Sequence, residues 1–246
     1  MRTDYLLNIL KKIAVIEETN YPVTYKFIVE NGTITIPFIS NGETLKAYVT
    51  ANDFLLEDCT FAMSNITLFN KTLSRFSSDV NIKIDDDYLI MTDGKLTAQV
   101  MLNEERVVYG LNDLQDCFDM DNDEFTGNII FDKEFVDNFL SLAKNESYNP
   151  KDTFTIKWFP KKESYQFKLG KNIKLKFDKD GTNSVDKTVI ILRVGLLYDI
   201  FNANKDLVEG YMRLFDDGSD IAVQIEFLSK DGIKSVYNLN PEDNEH

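Results

Sequence analysis

The sequence predicts an α+β fold built twice from one plan. Three observations predict it. Four amphipathic helical segments fall into two pairs with the same internal spacing. Short alternating strands with tight turns fill the gaps, and an acidic stretch without sustained periodicity divides the halves.

In the first half, Asp4–Ile16 carries Tyr5, Leu6, Ile9, Leu10 and Ile13 on one side and Asn8, Lys11, Lys12 and Val15 on the other, a helical pattern. Thr24–Glu30 and Thr33–Ile39 flank Asn31-Gly32, a two-residue hairpin signal. Asn41-Gly42 leads into a strand at Leu45–Thr50, and Phe54–Met63 reads as another. A second helix, Asn65–Phe76, buries Ile66, Phe69, Leu73 and Phe76. Its opposite face shows Thr67, Lys71, Ser74, Arg75 and Ser78, and no acid. Strands at Val80–Ile84, Tyr88–Met91 and Leu96–Leu102 follow, turning at Asp93-Gly94. The acids Asp85-Asp86-Asp87 lie between two strands and read as a turn tip, not a metal cluster.

The second half repeats the order. A helix at Asp132–Lys144 buries Phe135, Val136, Phe139, Leu140 and Ala143 and exposes Lys133, Asp137, Ser141 and Lys144. Strands at Phe154–Phe159, Tyr165–Leu169, Ile173–Phe177 and Thr188–Leu192 precede a fourth helix at Gly195–Asn204. That helix buries Leu196, Leu197, Ile200 and Phe201, exposes Asp199, Asn202 and Lys205, and has Arg193 at its entrance. Tyr211–Phe215, Ile221–Leu228 and Ile233–Leu239 close the unit, with turns at Asp217-Gly218 and Asp231-Gly232. Each half thus holds about six to eight strands and two helices, with the helices on one face of antiparallel sheet.

The expected domains are residues 1–102 and 127–246, the latter ending in an acidic tail, joined by a connector at 103–126. The connector holds eight acids and one arginine, and Leu111, Leu114, Phe118 and Met120 would pin it to a surface. Asp119-x-Asp121-x-Asp123 starts like a calcium loop, but Glu124 stands where glycine is needed and Ile130 where a bidentate glutamate is needed.

Composition narrows the function. The chain has 246 residues, 43% hydrophobic and 28% charged, ordinary for a globular protein. No apolar run approaches the ~20 residues that span a bilayer. The start reads straight into an amphipathic helix without a signal-peptide profile, and Cys59 and Cys117 match no metal spacing, which points to a reducing, cytoplasmic setting. The single histidine is His246, so no His-dependent nucleophile can be assembled, and there is no phosphate-binding glycine loop. No catalytic residue, metal site or cofactor is expected. A carboxylate hydrolase stays possible only because acid pairs can meet from anywhere in a chain. A virion structural or assembly protein would share the acidity and the β-richness. The net charge of −14 argues against nucleic acid unless cations are concentrated on one surface, and cations recur in repeated positions on the four helix faces.

In the order, spacing and endings of its elements the chain resembles the DNA sliding clamps, the polymerase processivity factors, in their two-domain PCNA-like and phage form. The likeness is strongest over Thr188-Val-Ile-Ile-Leu192, the fourth helix, Tyr211–Phe215, Ile221–Leu228 and Lys234-Ser-Val-Tyr-Asn-Leu-Asn-Pro241 with its acidic tail. Asn65–Leu102 is next, and the short connector and loops look more like a phage clamp than a cellular one. The resemblance implies duplicated clamp domains in a homotrimeric ring, sheets outside and two helices per domain lining a hole for double-stranded DNA. It implies no enzymatic activity. By position it implies DNA-facing Lys11, Lys12, Lys71, Arg75, Lys133, Lys144, Arg193 and Lys205, with Asp137 and Asp199 moderating the grip. It also implies DNA polymerase and a clamp loader as partners, docking a short peptide at Phe38, Leu45, Leu111, Leu114, Tyr237, Leu239 and Pro241. The lysine-rich run from Lys157 to Lys179 is read as a solvated meander.

Overall fold

The computed structural model describes residues 1–16, 24–39, 45–103, 125–145, 153–170, 175–185, 188–216 and 221–241. Two compact units divide the chain: Met1–Gln115 with Asp231–Ser235, and Asp116–Lys230 with Val236–His246. The Asn41-Gly42 and Asp217-Gly218 turns, most of the expected connector and the acidic tail lie outside the described residues.

In the first unit, α1 (Thr3–Ile13) runs into a 3-10 turn at Ala14–Ile16. Strands β1 (Tyr25–Glu30), β2 (Thr33–Ile39), β3 (Leu45–Ala51) and β4 (Cys59–Met63) pair antiparallel in the order β3-β2-β1-β4. The β1–β2 hairpin turns on Asn31 and Gly32, at φ of 52° and 75°, the left-handed backbone that Asn-Gly adopts at low cost. Helix α2 (Ile66–Leu73) starts at Asn65, whose side chain accepts the Leu68 N–H at 2.8 Å. Strands β5 (Asn81–Asp85), β6 (Tyr88–Thr92) and β7 (Thr97–Met101) form a three-stranded meander. The helices pack on each other, α1 also on β3, and Leu6, Ile9, Leu10, Ile66, Phe69 and Leu73 are buried.

The expected strand over Phe54–Met63 is half loop. Asp53 has φ of 58°, which breaks the extended chain, and Phe54 folds inward as a plug with its N–H on the Gly32 carbonyl at 2.8 Å. Only Cys59–Met63 pairs with β1.

The second unit follows the same order. Strand β8 (Gly127–Phe131) precedes α3 (Lys133–Asn145); then come β9 (Thr153–Phe159), β10 (Ser164–Leu169), β11 (Leu175–Asp180), the two-residue β12 (Thr182–Asn183) and β13 (Val189–Arg193). Helix α4 (Val194–Ala203) and strands β14 (Leu207–Asp216), β15 (Ile221–Ser229) and β16 (Lys234–Leu239) complete it. One sheet runs β11-β10-β9-β13, matching β3-β2-β1-β4, and β14-β15-β16 matches β5-β6-β7. Strand β8 was not expected from the sequence. It pairs with β14, the place that the Arg2–Asp79 bridge takes in the first unit. Its alternation is short, and Gly127 at its head is a poor strand former.

The core of the second unit is phenylalanine-rich. Phe201 of α4 sits against Phe131, Phe135, Phe139 and Phe227, with centroids 4.8–6.1 Å apart, most of them edge-on. Glycines make room for rings: a Cβ on Gly210 would collide with the Phe131 ring, and one on Gly127 with the Tyr165 hydroxyl. Tyr165 is buried and donates to the Thr182 carbonyl at 2.8 Å, and burial pushes its phenol well above the usual range.

Candidate nucleic-acid interface

The helix pairs α1–α2 and α3–α4 hold the expected cations in contrasting ways. On α2, Lys71 is exposed in the last turn and Arg75 is exposed just beyond it. Among the described residues no acid pairs with either. Ala14, Thr67, Asn70, Lys71 and Ser74 line a shallow open depression of about 290 Å³, a surface of hydroxyls, an amide and an ammonium. Phosphate oxygens are acceptors, and the Lys71 ammonium and the Asn70 amide supply donors to them, whereas the Ser74 hydroxyl donates to the Lys71 carbonyl at 2.9 Å.

On α1, Lys11 is partly exposed, but Lys12 is only 1% exposed. The helix turns about 100° per residue, and its stripe of Leu6, Ile9, Leu10 and Ile13 is wide enough to take Lys12 inside. Lys12 is therefore withdrawn from the DNA-facing set. On α3, Lys133 pairs with Asp137 one turn on, and Lys144 stands exposed in the last turn. On α4, Arg193 occupies the N-cap position and is exposed, and Lys205 is exposed just past the helix end. Thus α3 and α4 carry their cations at the ends, about 16 Å apart along α3. Asp137 and Asn138 are exposed along the middle of α3.

The expected peptide pocket is corrected more heavily. Phe38 and Leu45 are fully buried, at inward positions of β2 and β3. Tyr237 is fully buried and Leu239 is 2% exposed, both on inward positions of β16. The Tyr237 hydroxyl accepts from Asn204 Nδ2 at 2.9 Å, and its ring meets Phe227 edge-on at 5.9 Å. Four of the seven positions are thus core, and Pro241 is half-buried. Leu111 and Leu114 lie outside the described residues. The apolar residues that are exposed went unnoticed at sequence level: Leu55, Met101, Ile130 and Val208 are each more than half exposed. Alternation in a strand tells which residues share a face, not whether that face is covered.

No protein-family model matches the sequence, and no curated protein does. Solved structures do. A PCNA from A. fulgidus, solved with the C-terminal region of FEN-1 bound, superposes with a TM-score of 0.76 at 13% identity, over 100% of this chain and 98% of that one. The PCNA of Entamoeba histolytica gives 0.72 at 12% identity, over 98% and 96%. A putative DNA polymerase III beta subunit from Eubacterium rectale gives 0.73 at 11% identity, over 99% of this chain and 64% of that longer one. Four helices on mostly antiparallel sheet, repeated in order and matched end to end by these structures, show that the chain has the sliding-clamp fold.

Proposed function

We propose that this protein is a DNA sliding clamp: copies close into a ring, by preference a homotrimer, that encircles duplex DNA without reading sequence and tethers a polymerase. A clamp loader would open the ring, and the compact loops favour a viral origin. The reading is carried by the clamp fold running the length of a chain of net charge −14 whose helix pairs present Lys71, Arg75, Lys144 and Lys205 as exposed cations. Acids elsewhere repel a phosphate backbone, and the exposed cations of the helices mark the surface that DNA meets. Such contacts are weak and exchange easily with water, which suits sliding.

The test is topological. The protein, loaded on nicked circular DNA, is retained through gel filtration and lost when the circle is cut. Equal retention on linear DNA would make it an ordinary electrostatic binder, and negative-stain images without a central hole would remove the ring.

A further inference from the structure

Strand β13 of the second unit ends the sheet β11-β10-β9-β13 and has a role neither in the core nor on the helix faces along its outer side. It pairs with β9, with Val189 opposite Lys157 and Ile191 opposite Thr155. The Trp158 N–H donates to the Thr188 carbonyl at 3.0 Å, so in that register Trp158 and Thr188 form a hydrogen-bonded pair. Bonded and non-bonded pairs alternate along an antiparallel ladder. Ile190 and Leu192 therefore turn their backbone groups toward β9, and Val189 and Ile191 turn theirs to the open side.

The side chains of Val189 and Ile191 lie on the face opposite the buried Ile190 and Leu192, and Val189 is 39% exposed. Thr155 and Lys157 stand beside them on β9, and Lys168 of β10 is in register with Thr155. Lys157 is exposed, with Nζ 5.1 Å from the centre of the Phe159 ring, and Lys168 is partly exposed. Among the described residues no acid pairs with either lysine, in a chain of net charge −14.

The first unit shows what such an edge accepts. Its matching strand β4 meets Asn103, two residues past β7. The Asn103 N–H donates to the Ala62 carbonyl at 2.8 Å, and its Oδ1 accepts the Ser64 N–H at 2.8 Å. Glu104-Glu105 follow in the sequence. Among the described residues β13 carries no bridge of this kind. A row of alternating N–H and C=O groups is matched by another polypeptide, which supplies both; a nucleic-acid backbone offers acceptors without that alternation.

We propose that β13 is a docking edge for an extended, glutamate-rich segment of a partner protein. The segment adds a strand to Val189 and Ile191, lays its glutamate stems over their side chains and aims its carboxylates at Lys157. Neighbouring strands lie about 4.8 Å apart, so the added strand stands about 10 Å from β9, a gap that a lysine and a glutamate side chain cross together. Lys168 adds to the attracting field. The contact needs no ring, so its failure leaves the clamp reading intact.

The experiment uses the full chain and a fluorescein-labelled peptide, Thr-Glu-Val-Glu-Val-Glu-Thr, read by anisotropy, with amide hydrogen exchange followed on the protein. Binding should weaken at least about tenfold in K157E/K168E, with circular dichroism confirming its fold, and a peptide with lysine for glutamate should bind that variant better than wild type. N-methylation of the peptide amides that face β13 should abolish binding, because the charge is kept and the backbone donors are lost. Saturating peptide should slow exchange at the Val189 and Ile191 amides at least about tenfold and leave Ile190 and Leu192 little changed. No binding at about 1 mM peptide, or binding that leaves the Val189 and Ile191 amides exchanging as before, overturns the docking edge. Equal binding of the N-methylated peptide reduces the contact to charge attraction and also overturns it. An oligothymidylate that binds through Lys157 and Lys168 where the peptide does not would give the face to nucleic acid instead.

Discussion

At the scale of single residues, burial separates side chains that the sequence treats alike. Lys12 and Lys71 both sit opposite an apolar stripe on paper, but one is 1% exposed and the other lies open. Lys12→Ala should therefore cost stability, about 1–3 kcal/mol by chemical denaturation, through lost packing of its stem and the lost partner of its ammonium. It should leave the salt dependence of DNA binding where it was. Lys71→Ala with Arg75→Ala should do the opposite: unchanged unfolding midpoint, and a log K against log salt slope shallower by about 1–2. An unchanged slope in that double variant would take α2 out of the DNA-facing surface. Leu239→Asp, attractive as a pocket mutation at sequence level, buries a carboxylate in a site 2% exposed. It should cost about 4 kcal/mol or more and give insoluble or unfolded protein, not a selective loss of polymerase stimulation.

At the scale of elements, short contacts decide where segments can lie. Strand β14 passes so close to β8 that Gly210 faces the Phe131 ring without room for a methyl group. Gly210→Ala should destabilise by about 2–4 kcal/mol through overpacking, read as a drop in thermal midpoint with the fold retained in circular dichroism. The β6–β7 turn is held by Asp93, whose carboxylate accepts the N–H groups of Leu96 and Lys95 at 2.8 and 2.9 Å. The Leu96 bond first, then the Lys95 bond, lowers its pKa below the ordinary carboxylate value. A depressed acid contributes stability above its unfolded pKa and loses it as pH falls through the folded one. Asp93 should therefore hold the turn at neutral pH and titrate below the ordinary aspartate range, which side-chain carboxyl NMR shifts would report. A midpoint at the model-peptide value would mean that these two bonds are absent in solution.

At the scale of the whole molecule, duplication explains an economy of design. One plan of helix, four strands, helix and three strands appears twice, with β8 and the two-residue β12 added in the second unit and the shared strands in matching sheet order. The two copies differ in their charges. The first unit offers exposed Lys71 and Arg75 beside a depression lined by hydroxyls and an amide, whereas the second has Lys133 engaged by Asp137 and its other cations at helix ends. DNA inside a ring of such chains would feel alternating stronger and weaker grips. Moving Lys133 out of its ion pair with Asp137→Asn should strengthen binding about twofold to threefold at low salt, with the gain vanishing at high salt. A loss of affinity would show that Asp137 orders the helix more than it opposes the phosphates.

The sequence alone determined the periodicities, and with them the repeat, the four helices to within one or two residues at most ends, nearly all strands and the α+β class. Those follow from local geometry: 3.6 residues per turn, two per pleat, and turns at Asn-Gly and Asp-Gly. It also marked Asp85–Asp87 as a turn, which the left-handed Asp86 bears out. The sequence could not supply what depends on neighbours distant in the chain. Strand β8 exists because β14 runs beside it, Phe54 leaves its strand because its N–H bonds the Gly32 carbonyl and its ring is buried, and Tyr237 and Leu239 are core because a sheet face is covered. Periodicity is a property of a segment, whereas burial is a property of what packs over it, and only the tertiary structure decides the second.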